Sequence, residues 1–153
     1  MIKTNNPTIK LQRESLQTVL RFVYKVVPNN PPLPILSSLL FSLQNKKLTL
    51  SSTDLYFGIR SQVSATSNEE ITFAVPGSIF KDLISSFEDE VVKIEVLENQ
   101  IKVSSGKSSA TIPTQPHHDY PEFPSISGKV VSLSTEVLRE ERMGKGGLLG
   151  TTL

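Results

Sequence analysis

Apolar residues recur at helical spacing in two separate stretches of the chain. Along residues 12–26, Leu16, Val19, Leu20, Val23 and Val26 fall every three or four positions, which predicts an amphipathic helix with Gln17, Arg21 and Lys25 on its wet side. A second helix is predicted over residues 77–87, where Phe80, Leu83, Ile84 and Phe87 form one stripe. Pro76 stands just ahead of it, at a place where a missing N–H costs little. The remaining patterned segments read as strands. Residues 35–43, 47–52 and 55–63 are short apolar-rich runs, with Asn45-Lys46 and Thr53-Asp54 as turns between them. After the second helix, residues 91–97, 100–105 and 108–113 repeat the arrangement, with turns at Glu98-Asn99 and Gly106-Lys107.

The chain thus repeats itself. One unit runs strand (8–11), helix, three antiparallel strands. The other runs strand (70–75), helix, three antiparallel strands. The segment from Leu43 to Ser52 echoes that from Leu97 to Ser105, with Ser51 and Ser104 a period of 53 residues apart. A repeat of this kind marks a supersecondary unit that buries its apolar face against its copy. Two such units predict an α+β fold with two helices side by side, backed by antiparallel sheets. The polar sides of the helices then share one surface.

From Thr114 the texture changes. Pro116, Pro121 and Pro124 break up any regular ladder, so residues 116–124 read as a linker. Beyond it, 129–133 reads as a strand and 134–141 as a capped helix start, as though the repeat began a third time. The expected organisation is a disordered N-terminus over 1–7, a first domain over 8–124, the start of a second over 125–141, and a disordered or aberrant tail over 142–153.

Composition narrows the function. The chain has 153 residues and no cysteine, so disulfides and thiolate metal sites are excluded. No apolar run reaches the roughly 20 residues of a membrane helix, and the N-terminus lacks the apolar core of a secretion signal, so a cytoplasmic protein is expected. Lysine and arginine number 16 against 15 acids, a net charge of +1. That argues against gripping nucleic acid by bulk charge, but leaves room for basic groups gathered on one face.

Catalytic constellations are missing. Gly106-Lys107-Ser108 lacks the upstream glycine of a phosphate loop, since Ile101 stands there, and it joins two strands rather than a strand and a helix. Gly144-Lys145-Gly146-Gly147 has neither a following hydroxyl residue nor a preceding strand, and reads as flexible tail. His117 and His118 with Asp119 have no spaced further ligand, so a solvated turn is the better reading and no metal or cofactor is expected. Glu88-Asp89-Glu90 reads as a solvated turn guarding a strand edge. No enzyme is expected. What remains is the helical surface carrying Arg13, Gln17, Arg21, Lys25 and Lys81, which spacing alone would leave as an ordinary wet face.

Several stretches nonetheless resemble the N-terminal domain of the bacterial DNA sliding clamp, the beta subunit of DNA polymerase III. They are 33–40 (Leu33-Pro34-Ile35-Leu36 onward) followed by 48–55 (ending Ser52-Thr53-Asp54-Leu55), then Val75-Pro76 leading into Phe80-Lys81-Asp82-Leu83, then Ser105-Gly106-Lys107-Ser108, then Asp119-Tyr120-Pro121. Their order and spacing match over residues 8–141. The resemblance implies a non-catalytic processivity factor: three such domains make a subunit, and two subunits close head to tail around duplex DNA. It implies DNA-facing roles for Arg13, Gln17, Arg21, Lys25 and Lys81. It maps a subunit interface onto Leu83, Phe87, Lys107, Ala110 and Ile112. Implied partners are sequence-independent duplex DNA, other clamp subunits, and, in the full-length family, a polymerase and a clamp loader.

Two positions depart from the family pattern: Asn30 stands where an arginine is frequent, and Ala110 where a larger side chain is common. The second and third domains, which carry the partner-binding cleft, have no counterpart here, and the match dissolves after Glu140. A truncated or frame-shifted copy is therefore expected. The rival reading is an orphan domain that associates only through an exposed sheet edge.

Overall fold

The computed structural model describes residues 6–121. The expected second-domain start and tail lie outside the described residues. Nine strands and two helices follow the order β1 (Thr8–Gln12), α1 (Arg13–Val23), β2 (Ser38–Gln44), β3 (Lys47–Thr53), β4 (Gly58–Ser64), β5 (Thr66–Ser67), β6 (Ile71–Pro76), α2 (Gly77–Ser86), β7 (Val91–Val96), β8 (Gln100–Ser105) and β9 (Ser108–Pro113). They form two antiparallel sheets, β5-β1-β7-β8-β9 and β4-β3-β2-β6.

The sheets show how the duplication is built. β1 precedes the first helix but pairs with β7 of the second unit, Ile9 opposite Ile94. β6 precedes the second helix but pairs with β2 of the first, Phe41 opposite Phe73. Each unit therefore lends its opening strand to the other's sheet, so neither sheet can be completed by one unit alone. α1 lies over β3 and β4, α2 over β2, β6 and β9, and the helices touch each other.

Period-two burial fills the interior from the sheets. Leu39, Phe41 and Leu43 point inward from β2, and Val92, Ile94 and Val96 from β7. The helices add Leu16, Val19, Leu20 and Val23 from α1, and Phe80, Ile84 and Phe87 from the α2 stripe. At the centre Phe41 stacks on Phe73 at 4.9 Å and meets the edge of Phe80 at 5.0 Å. These offset and edge-on arrangements suit the ring quadrupoles. Strand β2, strand β6 and helix α2 are thereby joined through one aromatic cluster. Gly77 lets α2 start close against the sheet, because a Cβ there would come within 3.2 Å of the Leu39 side chain and the Ser37 carbonyl oxygen.

Local chemistry moved several boundaries. The helix expected over 12–26 stops at Val23 and tightens into a 3-10 turn over Tyr24–Val26. The strand expected from Ile35 starts at Ser38, because Pro34–Ser37 forms a 3-10 turn. Pro34, with its fixed φ and no N–H, opens that turn. The strand expected from Leu55 starts at Gly58. Ahead of it the Asp54 carboxylate accepts the N–H groups of Tyr56 (2.9 Å) and Phe57 (2.8 Å), while Thr53 Oγ1 accepts from Leu55 N at 3.0 Å. Such side-chain bonds outcompete a ladder and hold Leu55 at φ 84. The short β5, which pairs with β1, had not been foreseen. Of the N-terminal segment expected to be disordered, residues 1–5 lie outside the described residues; the Pro7 carbonyl accepts Val96 N at 2.8 Å, and Asn6 Nδ2 donates to Glu95 at 3.0 Å.

Candidate nucleic-acid interface

α1 and α2 lie side by side, so their polar flanks form one surface. Between them runs an open groove of about 340 Å³ lined by Gln17, Leu20 and Arg21 from α1 and by Lys81 and Ser85 from α2. Three of the five residues picked from sequence, Gln17, Arg21 and Lys81, therefore meet in one place. Ser85 joins them because it stands one helical turn beyond Lys81, a spacing visible in the sequence but not used there.

The other members of the set are differently occupied. Arg13 is committed to the backbone of the turn after α2: its Nε donates to the Asp89 carbonyl at 2.6 Å and its own N–H to the Glu90 carbonyl at 2.7 Å. Its Nη1 donates to Gln17 Oε1 at 2.9 Å, and Gln17 Nε2 reaches the Ile84 carbonyl at 3.4 Å. Arg13 and Gln17 thus clamp the start of α1 to the end of α2. Lys25 stands exposed on the 3-10 turn beyond α1 and does not line the groove.

Lys81 Nζ sits 5.1 Å from the centre of the Tyr24 ring and 3.9 Å from Asp82, with its side chain 40% exposed. A cation over a ring at this distance is held weakly in water, and an exposed ion pair adds little. Both leave the ammonium available to an anion. Arg21 is exposed, and its guanidinium makes no hydrogen bond or ion pair with another described residue. Charge on the groove is consequently positive, from Arg21 and Lys81.

The residues mapped to a subunit interface divide in the same way. Lys107 is exposed, and Leu83 and Ala110 are half-buried. Phe87 and Ile112 are turned into the core, at 5% and 2% exposure, so their side chains are already used within this chain. What Ile112 can offer a neighbour is strand backbone, since among the described residues β9 is the outermost strand and pairs only with β8.

The two histidines and Tyr120 lie at the end of the described domain. His117 and His118 lie with their rings tilted by 39° and their centres 4.0 Å apart in a 3-10 turn, and no group of three or more metal-ligating side chains occurs among the described residues. Partial burial, and then the neighbouring His118, lowers the pKa of His117. Tyr120 is buried and accepts Thr53 N at 3.1 Å through its hydroxyl, anchoring the end of the domain to β3. Burial pushes its pKa up to about 12, against a smaller opposing effect of that hydrogen bond. No helix among the described residues is long and apolar enough to cross a membrane.

Comparison with known proteins agrees with this architecture. Residues 8–124 match the family described as DNA polymerase III beta subunit, N-terminal domain. A beta sliding clamp from Haemophilus influenzae is 30% identical over 122 residues, covering 78% of this chain and 33% of that protein. One from Vibrio harveyi is 30% identical over 132 residues, covering 84% of this chain and 91% of that protein. Among solved structures, the Pseudomonas aeruginosa sliding clamp bound to griselimycin superposes with a TM-score of 0.75 at 28% identity, over 82% of this chain and 35% of that one. The Helicobacter pylori beta clamp bound to a DNA ligase peptide gives 0.73 at 25% identity, over 78% and 34%. This chain thus spans about a third of the length of three of these four relatives. With a duplicated unit, two adjoining helices, two backing sheets and a family match over most of its length, the chain belongs to the DNA polymerase III beta subunit family, of which it carries the N-terminal domain.

Proposed function

We propose that the chain serves as the N-terminal domain of a DNA sliding clamp, a non-catalytic processivity factor whose paired helices face duplex DNA. The observation that carries this reading is the shared groove, in which Arg21 and Lys81 stand with Gln17 and Ser85 across two helices. Long, mobile cations on a wet surface suit a ring that must slide over any sequence. Base-edge contacts would favour particular sequences, and tight phosphate pairing would slow movement along the duplex. A net charge of +1 is compatible with that task, because the cations need only line one face.

Arg21, Lys81 and Lys25 are the contacting residues in this reading, with Arg13 and Gln17 holding the helices in place. Association with other clamp subunits would use Leu83, Lys107 and Ala110 beside the free edge of β9. A polymerase and a clamp loader belong to the assembled protein. The rival reading, association through the sheet edge without DNA, is favoured by the same outer edge of β9, which no described strand covers.

Duplex DNA affinity measured against salt separates the two. Each phosphate contact contributes about 0.9 to the slope of log affinity on log salt. Replacing Arg21, Lys25 and Lys81 together by alanine is expected to lower that slope by roughly 2 to 3. An unchanged slope defeats the assignment of the helical face.

A further inference from the structure

The face of the β5-β1-β7-β8-β9 sheet turned away from the helices carries a second basic cluster. Residues directly opposite on neighbouring strands project to the same side of a sheet. The pairing sets Lys10 opposite Lys93, Lys93 opposite Ser104, and Ser104 opposite Ser109. One row across four strands therefore reads Lys10, Lys93, Ser104, Ser109. The adjacent row reads Thr8, Glu95, Lys102, Thr111. Lys107 adds a further ammonium from the turn that joins β8 to β9, where Gly106 takes a φ of 60.

These lysines outnumber the acids beside them, Glu95 standing opposite Lys102. Lys10, Lys93, Lys102 and Lys107 are all exposed, and none of their ammonium groups makes an ion pair or hydrogen bond with another described residue. The one carboxylate in the two rows, Glu95, already accepts from Asn6 at 3.0 Å. The other nearby acid, Asp89, lies against Gly106 at the turn. Like charges directly opposite on paired strands destabilise a sheet, so Lys10 beside Lys93 does nothing for the fold. The surface is also concave. Lys93, Lys102 and Lys107 stand around a depression of about 240 Å³ whose lining includes the hydroxyls of Ser104, Ser108 and Ser109 and one carboxylate, Glu95, so three ammonium groups face a single negative charge.

We propose that this depression binds a phosphate group, carried by a nucleic-acid backbone or free in solution. Ammonium groups supply the charge, and the serine hydroxyls supply hydrogen-bond donors for the remaining oxygens. Among the described residues no aromatic side chain lines the depression to stack a base. No large apolar side chain lines it either, so an acidic peptide would find charge there but no anchor. A sequence-independent phosphate contact fits that donor set. The site lies across the sheet from the helical groove and does not depend on how the groove is read.

The test follows backbone amides of the full chain by NMR during titration with inorganic phosphate, a short oligothymidylate and a glutamate peptide. Phosphate is expected to move the amides of Ser104, Lys107, Ser108 and Ser109. Lys93→Gln with Lys102→Gln should abolish those movements and leave the rest of the spectrum in place. Lys107 is spared because it also belongs to the proposed subunit contact. Movement with phosphate alone assigns a free phosphate ligand. Movement with both phosphate and oligothymidylate assigns the nucleic-acid backbone, and the double substitution should then lower the salt slope of oligothymidylate binding by about 1.4, at roughly 0.7 per single-strand contact. Repeating that arm with Arg21→Ala and Lys81→Ala keeps binding at the helices from being mistaken for it. Equal movement with the glutamate peptide, no movement with phosphate, or movement that survives the double substitution overturns the proposal.

Discussion

The two repeats of this domain bury the same positions but are closed off differently. Leu39, Phe41, Leu43, Leu48 and Leu50 of the first unit correspond to Val92, Ile94, Val96, Ile101 and Val103 of the second, and all ten are buried. Leu16, Leu20 and Val23 likewise correspond to Phe80, Ile84 and Phe87. The divergence lies after the helices. The first helix reaches its next strand through residues 24–37, which hold two 3-10 turns, whereas the second needs only the short turn after Phe87. The buried serines register this. Ser52 on β3 donates to the carbonyl of Val23, the last residue of α1, at 2.6 Å. Its counterpart Ser105 on β8 donates at 2.8 Å to the carbonyl of Val91, where β7 begins. One latch holds a helix end whose following chain is long; the other holds the start of a strand. Duplicated packing tolerates substitution within a size class, and the connections carry the asymmetry.

The sharpest way to break the comparison is at the point where the units meet. Phe41 is fully buried between Phe73 and Phe80, so Phe41→Ala is expected to cost about 3–5 kcal/mol, read as a shift in the denaturant midpoint. Ile94→Val at the equivalent position should cost only about 0.5–1.5 kcal/mol. If the two losses match, the aromatic junction has no special role.

The serine latches come next. Ser52→Ala leaves a buried helix-end carbonyl without its donor, for an expected loss of about 1–3 kcal/mol. Ser105→Ala, at a part-buried bond, should cost less, near 1 kcal/mol. Reversal of that order in chemical denaturation would show that the long connection after α1 does not need its tether.

The smallest effect is a pH dependence confined to the first unit. Tyr120, for which no described residue is a counterpart latched to β8, bonds Thr53 and has its pKa raised to about 12 from 10.0. A raised folded pKa means that the folded state favours the protonated phenol. Its stabilisation is therefore complete below pH 10 and lost as the pH rises towards 12. Thermal unfolding followed across that interval should show this decline in the parent chain. Tyr120→Phe should lack that component.

Burial periodicity made both helices, the duplication and most of the strands legible from the sequence, because alternation and helical spacing respond directly to which side faces the core. It misplaced the starts of β2 and β4, where Pro34, Thr53 and Asp54 act on the backbone through a few local bonds that leave no periodic trace. It also gathered Arg13, Gln17, Arg21, Lys25 and Lys81 as one polar face. Spacing on a single helix cannot show that Arg13 is tied to the turn at Asp89 and Glu90, or that Arg21 and Lys81 share a groove. The sequence by itself determined that two similar units each present an apolar stripe and a wet one. Only the tertiary structure decided that the units exchange β1 and β6, since strand pairing is set by long-range hydrogen bonding between segments whose local patterns are alike. That exchange aligns the helices, and it also sets Lys10 beside Lys93, because cross-strand neighbours exist only once the register is fixed.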